Sequence, residues 1–138
     1  MSPAQATTGP DLAMTGSVVA GVTSAQSSQH LPFTFTMTNK SSSTAAGSVS
    51  FTFTVTNGTA DTADYVCPLT SNHFDINPDT PSCEPGGLAA TKSTRAAIIV
   101  TPSISTGTVT VRSCASDLTG STDPVSSNNC KSLSIKIS

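Results

Sequence analysis

Two segments of this 138-residue chain alternate strictly between apolar and hydroxyl side chains: PFTFTMTN at residues 32–39 and SVSFTFTVTN at residues 48–57. Successive side chains of a β-strand point to opposite faces, so alternation over this length predicts strands with one buried and one wet face. The buried positions carry Phe, Met and Val, and the wet positions carry Thr and Ser. Between the segments, NKSSSTAAG at residues 39–47 is polar and small, which predicts a loop.

Weaker versions of the same pattern predict strands elsewhere in the chain. The first covers residues 11–22, where Gly16 interrupts the alternation and predicts a bend or a change of sheet partner. Three more strands are predicted over residues 95–102, 106–116 and 131–138. No window of a dozen residues carries a helical stripe, so we expect an all-β chain.

The predicted strands are short and separated by turn-rich loops, which is typical of an immunoglobulin-like β-sandwich of about seven antiparallel strands in two sheets. We expect this domain to cover residues 11–138, after a flexible lead-in or linker over residues 1–10. Residues 57–85 contain four prolines and few large apolar anchors, and they are expected to be mostly irregular. An antibody-type domain is disfavoured, because the chain has no Trp and the second predicted strand has no Cys.

The composition is rich in hydroxyl groups and poor in charge: 46 residues are Ser or Thr, 10% are charged, and the net charge is −2. The apolar content of 36% is enough for one core, so composition does not force disorder. The six basic residues form no run, which argues against nucleic acid as a partner. No apolar stretch approaches the length of a membrane span, so no membrane insertion is expected. The first residues, MSPAQATTGPDLAM, lack the basic and apolar regions of a signal peptide, so none is expected within this sequence.

Four cysteines form two pairs, each separated by 16 positions: Cys67 with Cys83 and Cys114 with Cys130. We interpret them as two local disulfides, which places the chain in an oxidising compartment. The alternatives are reduced core thiols and a zinc site, for which no CxxC or HxxxH motif is present. By strand parity, Cys114 and Cys130 point to the wet side and would join the ends of the last two strands.

The order of these segments resembles the CARDB family, the cell adhesion related domain found in bacteria. The family opening is similar to DLAM and FTFTMTNKSSSTA here, and the resemblance covers most of residues 11–138. In the C-terminal half of the chain, the residues that carry the resemblance are Leu88, Ile98, Val100, Pro102, Gly107, Val109, Asp123, Pro124, Asn128 and Asn129. Lys40 and Ser41 replace the usual glycine turn, and the four cysteines also depart from the family pattern. The resemblance implies a seven-stranded sandwich in a large exported microbial protein and implies no catalytic residues.

Few residues are candidates for binding or chemistry. Asp75, Asn77 and Asp79 form a weak calcium motif, DxNxD, that lacks the turn glycine and the final Glu of a calcium loop. Tyr65 and Phe74 are the aromatic side chains outside the predicted buried faces, so a ligand would bind near them. The histidines have no nucleophile motif near them, and no catalytic residue, metal or cofactor is expected. Two N-glycosylation sequons begin at Asn39 and Asn57.

These observations together predict a non-catalytic structural spacer or adhesion module of an exported microbial cell-surface protein. The alternative is an accessory domain of a secreted hydrolase that binds a carbohydrate or a protein. We expect an extracellular location, at the cell surface or secreted, and an isolated domain that is a monomer. The expected partners are neighbouring domains of the parent chain and a surface protein or glycan.

Overall fold

The computed structural model describes residues 9–18, 24–25, 30–60, 65–66, 73–75, 82–118, 123 and 126–137. These residues form strands and a short 3-10 turn at Ser126–Asn128, and the all-β prediction is confirmed. The strands are β1 Leu12–Val18, β2 Ser24–Ala25, β3 Leu31–Asn39, β4 Ala46–Thr56, β5 Gly58–Thr59, β6 Tyr65–Val66, β7 His73–Asp75, β8 Ser82–Leu88, β9 Ser93–Pro102, β10 Gly107–Asp117 and β11 Cys130–Ile137.

The strands form two sheets that pack as a sandwich. The first sheet has the order β1-β3-β9-β5, with β6 also paired to β9, and the second has the order β2-β11-β10-β4-β8-β7. Every pair is antiparallel except β2 with β11, which is parallel. The strands of seven or more residues are β1, β3, β4, β8, β9, β10 and β11, so the predicted immunoglobulin-like sandwich of about seven strands is confirmed.

The core lies between the inward faces of β3 and β4, as the alternation predicts. Phe33, Phe35 and Met37 on β3 are fully buried. Across the sandwich, the ring of Phe35 meets Phe53 of β4 edge-on at 6.1 Å between centroids, and Phe53 stacks on Phe51 at 6.3 Å. Both ring geometries are favourable for packing. The contact between Phe35 and Phe53 joins the two sheets, whereas the stacking of Phe51 on Phe53 lies within β4.

Gly16 has a different role from the predicted one. β1 pairs with β3 in one continuous register from Leu12 to Val18, so the predicted change of sheet partner at Gly16 is wrong. A Cβ at this position would lie 2.9 Å from Phe35 Cδ1 and 3.0 Å from Leu133 Cδ1. The glycine therefore leaves room for the core side chains beneath β1.

β8 is a second difference from the sequence prediction. Its sequence, SCEPGGL, overlaps the end of the segment expected to be irregular, and it shows no alternation. Its pairing with β4 is interrupted by two register shifts, and Gly86 adopts a φ of 105°. Such bulges remove the period-two pattern, which is why the seventh long strand had no sequence signature.

The described chain begins and ends at opposite poles of the sandwich. Leu12 at the start of β1 pairs with Asn39 at the end of β3, and the loop after Asn39 leads to the start of β4. β10 ends near the start of β4, at Asp117. We call this the N-terminal pole. β10 begins at the other pole, where Gly107 pairs with Ile137 at the end of β11. We call that the C-terminal pole, and strands of up to 11 residues connect the two.

Replacing Phe53 with Ala tests the contact between the sheets. Because Phe53 is 1% exposed, we expect Phe53→Ala to lower the free energy of unfolding by about 3–5 kcal/mol. Thr54→Ala is the matched control: it changes the adjacent exposed position and should cost no more than about 0.5 kcal/mol. Urea unfolding followed by circular dichroism measures both, and equal midpoints would contradict the proposed role of Phe53.

Candidate functional site: the N-terminal pole of the sandwich

The disulfide near this pole joins the last two long strands. Cys114 of β10 and Cys130 of β11 are direct partners in the antiparallel register, with their Cα atoms 4.1 Å apart. Both are half-buried, whereas Ser113 and Ala115 beside Cys114 are buried. The predicted pairing is confirmed, and both cysteines lie on the outward face as strand parity predicted. The bond closes the connection between β10 and β11 into a covalent ring.

The second predicted disulfide is described only in part. Cys83 lies on β8, is 1% exposed and is disulfide-bonded. Its predicted partner, Cys67, lies outside the described residues. The pairing of Cys67 with Cys83 therefore stays a prediction.

The ring closed by Cys114 and Cys130 binds the start of β1. The carboxylate Oδ2 of Asp123 accepts a hydrogen bond from the backbone N–H of Leu12 at 2.9 Å. The side-chain amide of Asn128 donates to Oδ1 of Asp11 at 3.0 Å. Both acceptors are carboxylates, and hydrogen bonds to charged groups are the stronger ones. The family resemblance places Asp123 and Asn128 in a turn before the last strand, but gives no sign that they hold β1.

Asp11 also connects this ring to the end of β3. Its backbone carbonyl accepts a hydrogen bond from the N–H of Lys40 at 2.7 Å. Within the ring, the carbonyl of Asn129 accepts from the N–H of Ala115 at 2.8 Å. The start of β1 is thus held by the first sheet on one side and by the disulfide-closed ring of the second sheet on the other.

Asn39, the last residue of β3, organises the rest of the pole. Its side chain is fully buried, and its amide donates to the carbonyls of Thr44 at 2.8 Å and Leu88 at 3.2 Å. Its Oδ1 accepts from the N–H of Ser41 at 3.1 Å, which forms an Asx turn. One side chain therefore joins the end of β3, the following loop and the end of β8.

The two sequons have different environments. The amide nitrogen of Asn39 is buried and donates two hydrogen bonds, so a glycan at this position is incompatible with the folded domain. Asn57 is exposed at the C-terminal pole in a left-handed conformation with φ 63°, and its amide donates to the carbonyl of Thr108 at 2.9 Å. Of the two, only Asn57 presents its side chain at the surface.

The predicted ligand residues lie on one flank of the sandwich. Tyr65 is in β6, which pairs with β9, and Phe74 is in β7, which pairs with β8. Since β8 and β9 contact each other across the sandwich, the backbones of β6 and β7 lie on the same flank. Of the calcium candidates, Asp75 ends β7, whereas Asn77 and Asp79 lie outside the described residues. The part of the chain that the structure describes contains no cluster of three or more His, Cys, Asp or Glu able to hold a metal ion.

His30 makes a local contact at the C-terminal pole. It is exposed, and its Nδ1 lies 3.0 Å from the hydroxyl of Thr101. His73 lies in β7. Within the described ranges, no helix is long and apolar enough to cross a membrane.

Comparison by sequence finds no relatives: no family model matches the chain, and no curated protein matches it. Comparison by structure finds the CARDB domain of the PF1109 protein from Pyrococcus furiosus, whose crystal structure is a complex with di-metal ions. That structure superposes with a TM-score of 0.63 at 11% identity, covering 94% of this chain and 90% of that chain. The solution structure of the same domain superposes at 0.56 and covers 94% and 96%. The predicted resemblance to CARDB is thus confirmed at the level of the fold.

Other solved structures share this architecture. The bacterial hydrophobin BslA matches with a TM-score of 0.55 at 11% identity, over 93% of this chain and 94% of that chain. AvmM, which catalyses macrocyclization in alchivemycin A biosynthesis, matches at 0.53 with 10% identity, over 90% and 88%. Because one fold can serve different functions, the function of this chain has to be argued from its own residues and geometry.

Replacing Asn39 tests its role at the pole. Asn39→Ala leaves two backbone carbonyls and one backbone N–H without their side-chain partner, and one of the three lost hydrogen bonds is fully buried. We therefore expect the free energy of unfolding to fall by about 2–3 kcal/mol. Ser42→Ala, an exposed change in the same loop, should leave stability within about 0.5 kcal/mol. Chemical denaturation compares the two, and an unchanged midpoint for Asn39→Ala would show that other groups organise this pole.

Proposed function

We propose, from the architecture shared with the CARDB domain, that this chain is a non-catalytic spacer or adhesion module of an exported cell-surface protein. The observation that carries the proposal is the position of the two ends of the described chain. β1 begins at the N-terminal pole and β11 ends at the C-terminal pole. Neighbouring domains would therefore attach at opposite poles, and copies joined in tandem would extend along one line.

The chemistry of the surface and of the disulfide supports the proposed location outside the cell. The bond between Cys114 and Cys130 is half-buried, and structural disulfides persist in oxidising compartments. The outward positions of β4 that are at least partly exposed carry Thr52, Thr54 and Thr56 rather than charged residues, whereas Ser50 is buried. A surface of hydroxyl groups stays hydrated with little net charge, which suits a module that separates other domains.

The spacer role rests on shape and strength, and it needs no cofactor. Its partners in this proposal are the neighbouring domains of the parent chain, with the isolated domain a monomer. The sequence offers no GxSxG motif and no metal-ligand spacing to support catalysis. The metal ions in the CARDB domain of PF1109 belong to that protein, and we assign none to this chain.

Tandem copies test the spacer role. Strands of 11 residues at about 3.3–3.4 Å each give the sandwich a length of about 36 Å between poles. A protein with two or three copies joined in series should exceed the length of a single copy by about that amount for each added copy. The maximum dimension from small-angle X-ray scattering measures this length. A maximum dimension that stays constant as copies are added would mean that the copies fold back on one another, which contradicts a spacer.

A ligand-binding accessory domain is the second candidate, favoured by the position of β6 and β7 on one flank. If that flank binds a glycan or a matrix protein, Tyr65→Ala and Phe74→Ala should each reduce binding by at least tenfold on an array, while Thr54→Ala, on the outward face of β4, should not. Binding that is equal in all three variants would remove this flank as the site.

A further inference from the structure

The ring closed by the Cys114–Cys130 disulfide is hydrogen-bonded to the start of β1 and includes the first residue of β11, so it contacts elements near both ends of the described chain. We propose that this bond is the junction through which tension passes from one terminus of the domain to the other. The inference rests on the proposed spacer function, in which neighbouring domains pull on both termini. It goes beyond that function by naming the groups that carry the load.

From the C-terminal side, tension reaches the disulfide along β11. This strand of 8 residues leaves the domain at the C-terminal pole, while Cys130, its first residue, lies at its other end near the N-terminal pole. A pull on Ile137 tends to slide β11 along β10. The bond from Cys130 to Cys114 prevents that sliding, because the far end of the strand is covalently attached to its neighbour.

β10 is able to distribute this load through the second sheet. It lies between β11 and β4 in the strand order. Eight successive residues of β10, from Thr110 to Asp117, pair with β4, and Cys114 lies within that run opposite Thr52. A force applied at Cys114 is therefore shared by ladder hydrogen bonds on both sides of the attachment point.

From the N-terminal side, tension reaches the same covalent ring through β1. A pull on Gly9 and Pro10, which are both buried, acts on Asp11 and Leu12. These two residues are hydrogen-bonded to Asn128 and Asp123, which lie between Cys114 and Cys130 in the chain. The ring closed by the disulfide therefore contacts the first strand and covalently holds the last one.

The direction of pulling makes this arrangement strong. β1 runs from the N-terminal pole toward the C-terminal pole, so a pull at its start acts along the strand axis. All seven pairs between β1 and β3 then bear load together rather than opening one by one. The clamp of Asp123 and Asn128 adds to that resistance at the point where the force enters.

Single-molecule force spectroscopy tests the junction. The 138-residue chain is placed between reference domains and pulled by its termini. In the double variant Cys114→Ser, Cys130→Ser, we expect a lower unfolding force. We also expect the contour length of the unfolded chain to be about 50 Å longer than with the disulfide, because the 16-residue separation is no longer bridged. An unfolding force equal to that of the unmodified chain would overturn the proposal.

A second pair of variants keeps the disulfide and tests the clamp. Asp123→Ala removes the acceptor for the N–H of Leu12, and it should lower the unfolding force without changing the contour length. Asp123→Asn retains a carbonyl oxygen at the same position and should recover most of the force. If Asp123→Ala has the unfolding force of the unmodified chain, the hydrogen-bonded ring does not carry load from β1, and the proposal is wrong. These variants answer the question even if the double Cys variant does not fold.

The direction of force separates a mechanical junction from general stabilisation. A handle at the exposed residue Thr106, combined with the C-terminus, pulls the C-terminal pole open. The pairs between β10 and β11 then open one at a time from Gly107 and Ile137. Removing the disulfide should leave the force for this first opening unchanged. If the force falls by as much as it does when the chain is pulled by its two termini, the bond acts only through overall stability.

These measurements are independent of the proposed location. Labelling of intact cells with a membrane-impermeant reagent tests whether the parent protein is at the surface. A failure there would overturn the proposed function while leaving the measured force path intact. Conversely, if the parent protein is at the surface but the domain unfolds at the same force with and without the disulfide, the proposed function stands and the proposed junction is wrong.

Discussion

The packing of β3 against β4 across the sandwich is the interaction on which the rest of the structure depends. These strands belong to different sheets, and the edge-on contact between Phe35 and Phe53 joins them. β1 and β9 pair with β3, while β10 and β8 pair with β4. Each sheet therefore extends outward from one of these two strands, and the burial of apolar side chains from both sheets drives folding.

Polar groups at the N-terminal pole complete what the apolar core cannot determine. A core of alternating side chains fixes which face is buried, but it does not specify how loops meet at the end of the sandwich. Asn39 does this for β3 and β8 through three hydrogen bonds. Asp123 and Asn128 do it for β1, and the disulfide between Cys114 and Cys130 holds the ring that carries them. Hydrogen bonds made by buried or partly buried groups are costly to lose, which gives this pole a defined structure.

The accuracy of the sequence predictions followed the regularity of each element. β3, β4, β10 and β11 alternate and were predicted to within about two residues of their observed bounds. The cross-strand disulfide followed from the same parity, because it fixes which face Cys114 and Cys130 occupy. β8 was missed because bulges and glycines remove its alternation. The role of Gly16 was misjudged because only the packed structure shows that Phe35 and Leu133 fill the space beneath it.

The candidate site was the least predictable part, for a related reason. The bonds from Asp123 and Asn128 to β1 join residues more than 100 positions apart in the chain. Local patterns carry no information on such contacts. Asn39 was visible in the sequence only as the start of a sequon, whereas its burial and its three hydrogen bonds depend on where the end of β8 lies. Composition indicated a hydroxyl-rich surface but not the placement of its few acidic groups.

The sequence by itself determined the fold class, the inward and outward faces of the regular strands and the pairing of Cys114 with Cys130, because these follow from period-two alternation and short separations along the chain. Only the tertiary structure decided which strands are neighbours, why Gly16 must lack a side chain and how one disulfide-closed ring holds both β1 and β11. Those features depend on contacts between segments that are distant in sequence, and they form only when the two sheets pack together.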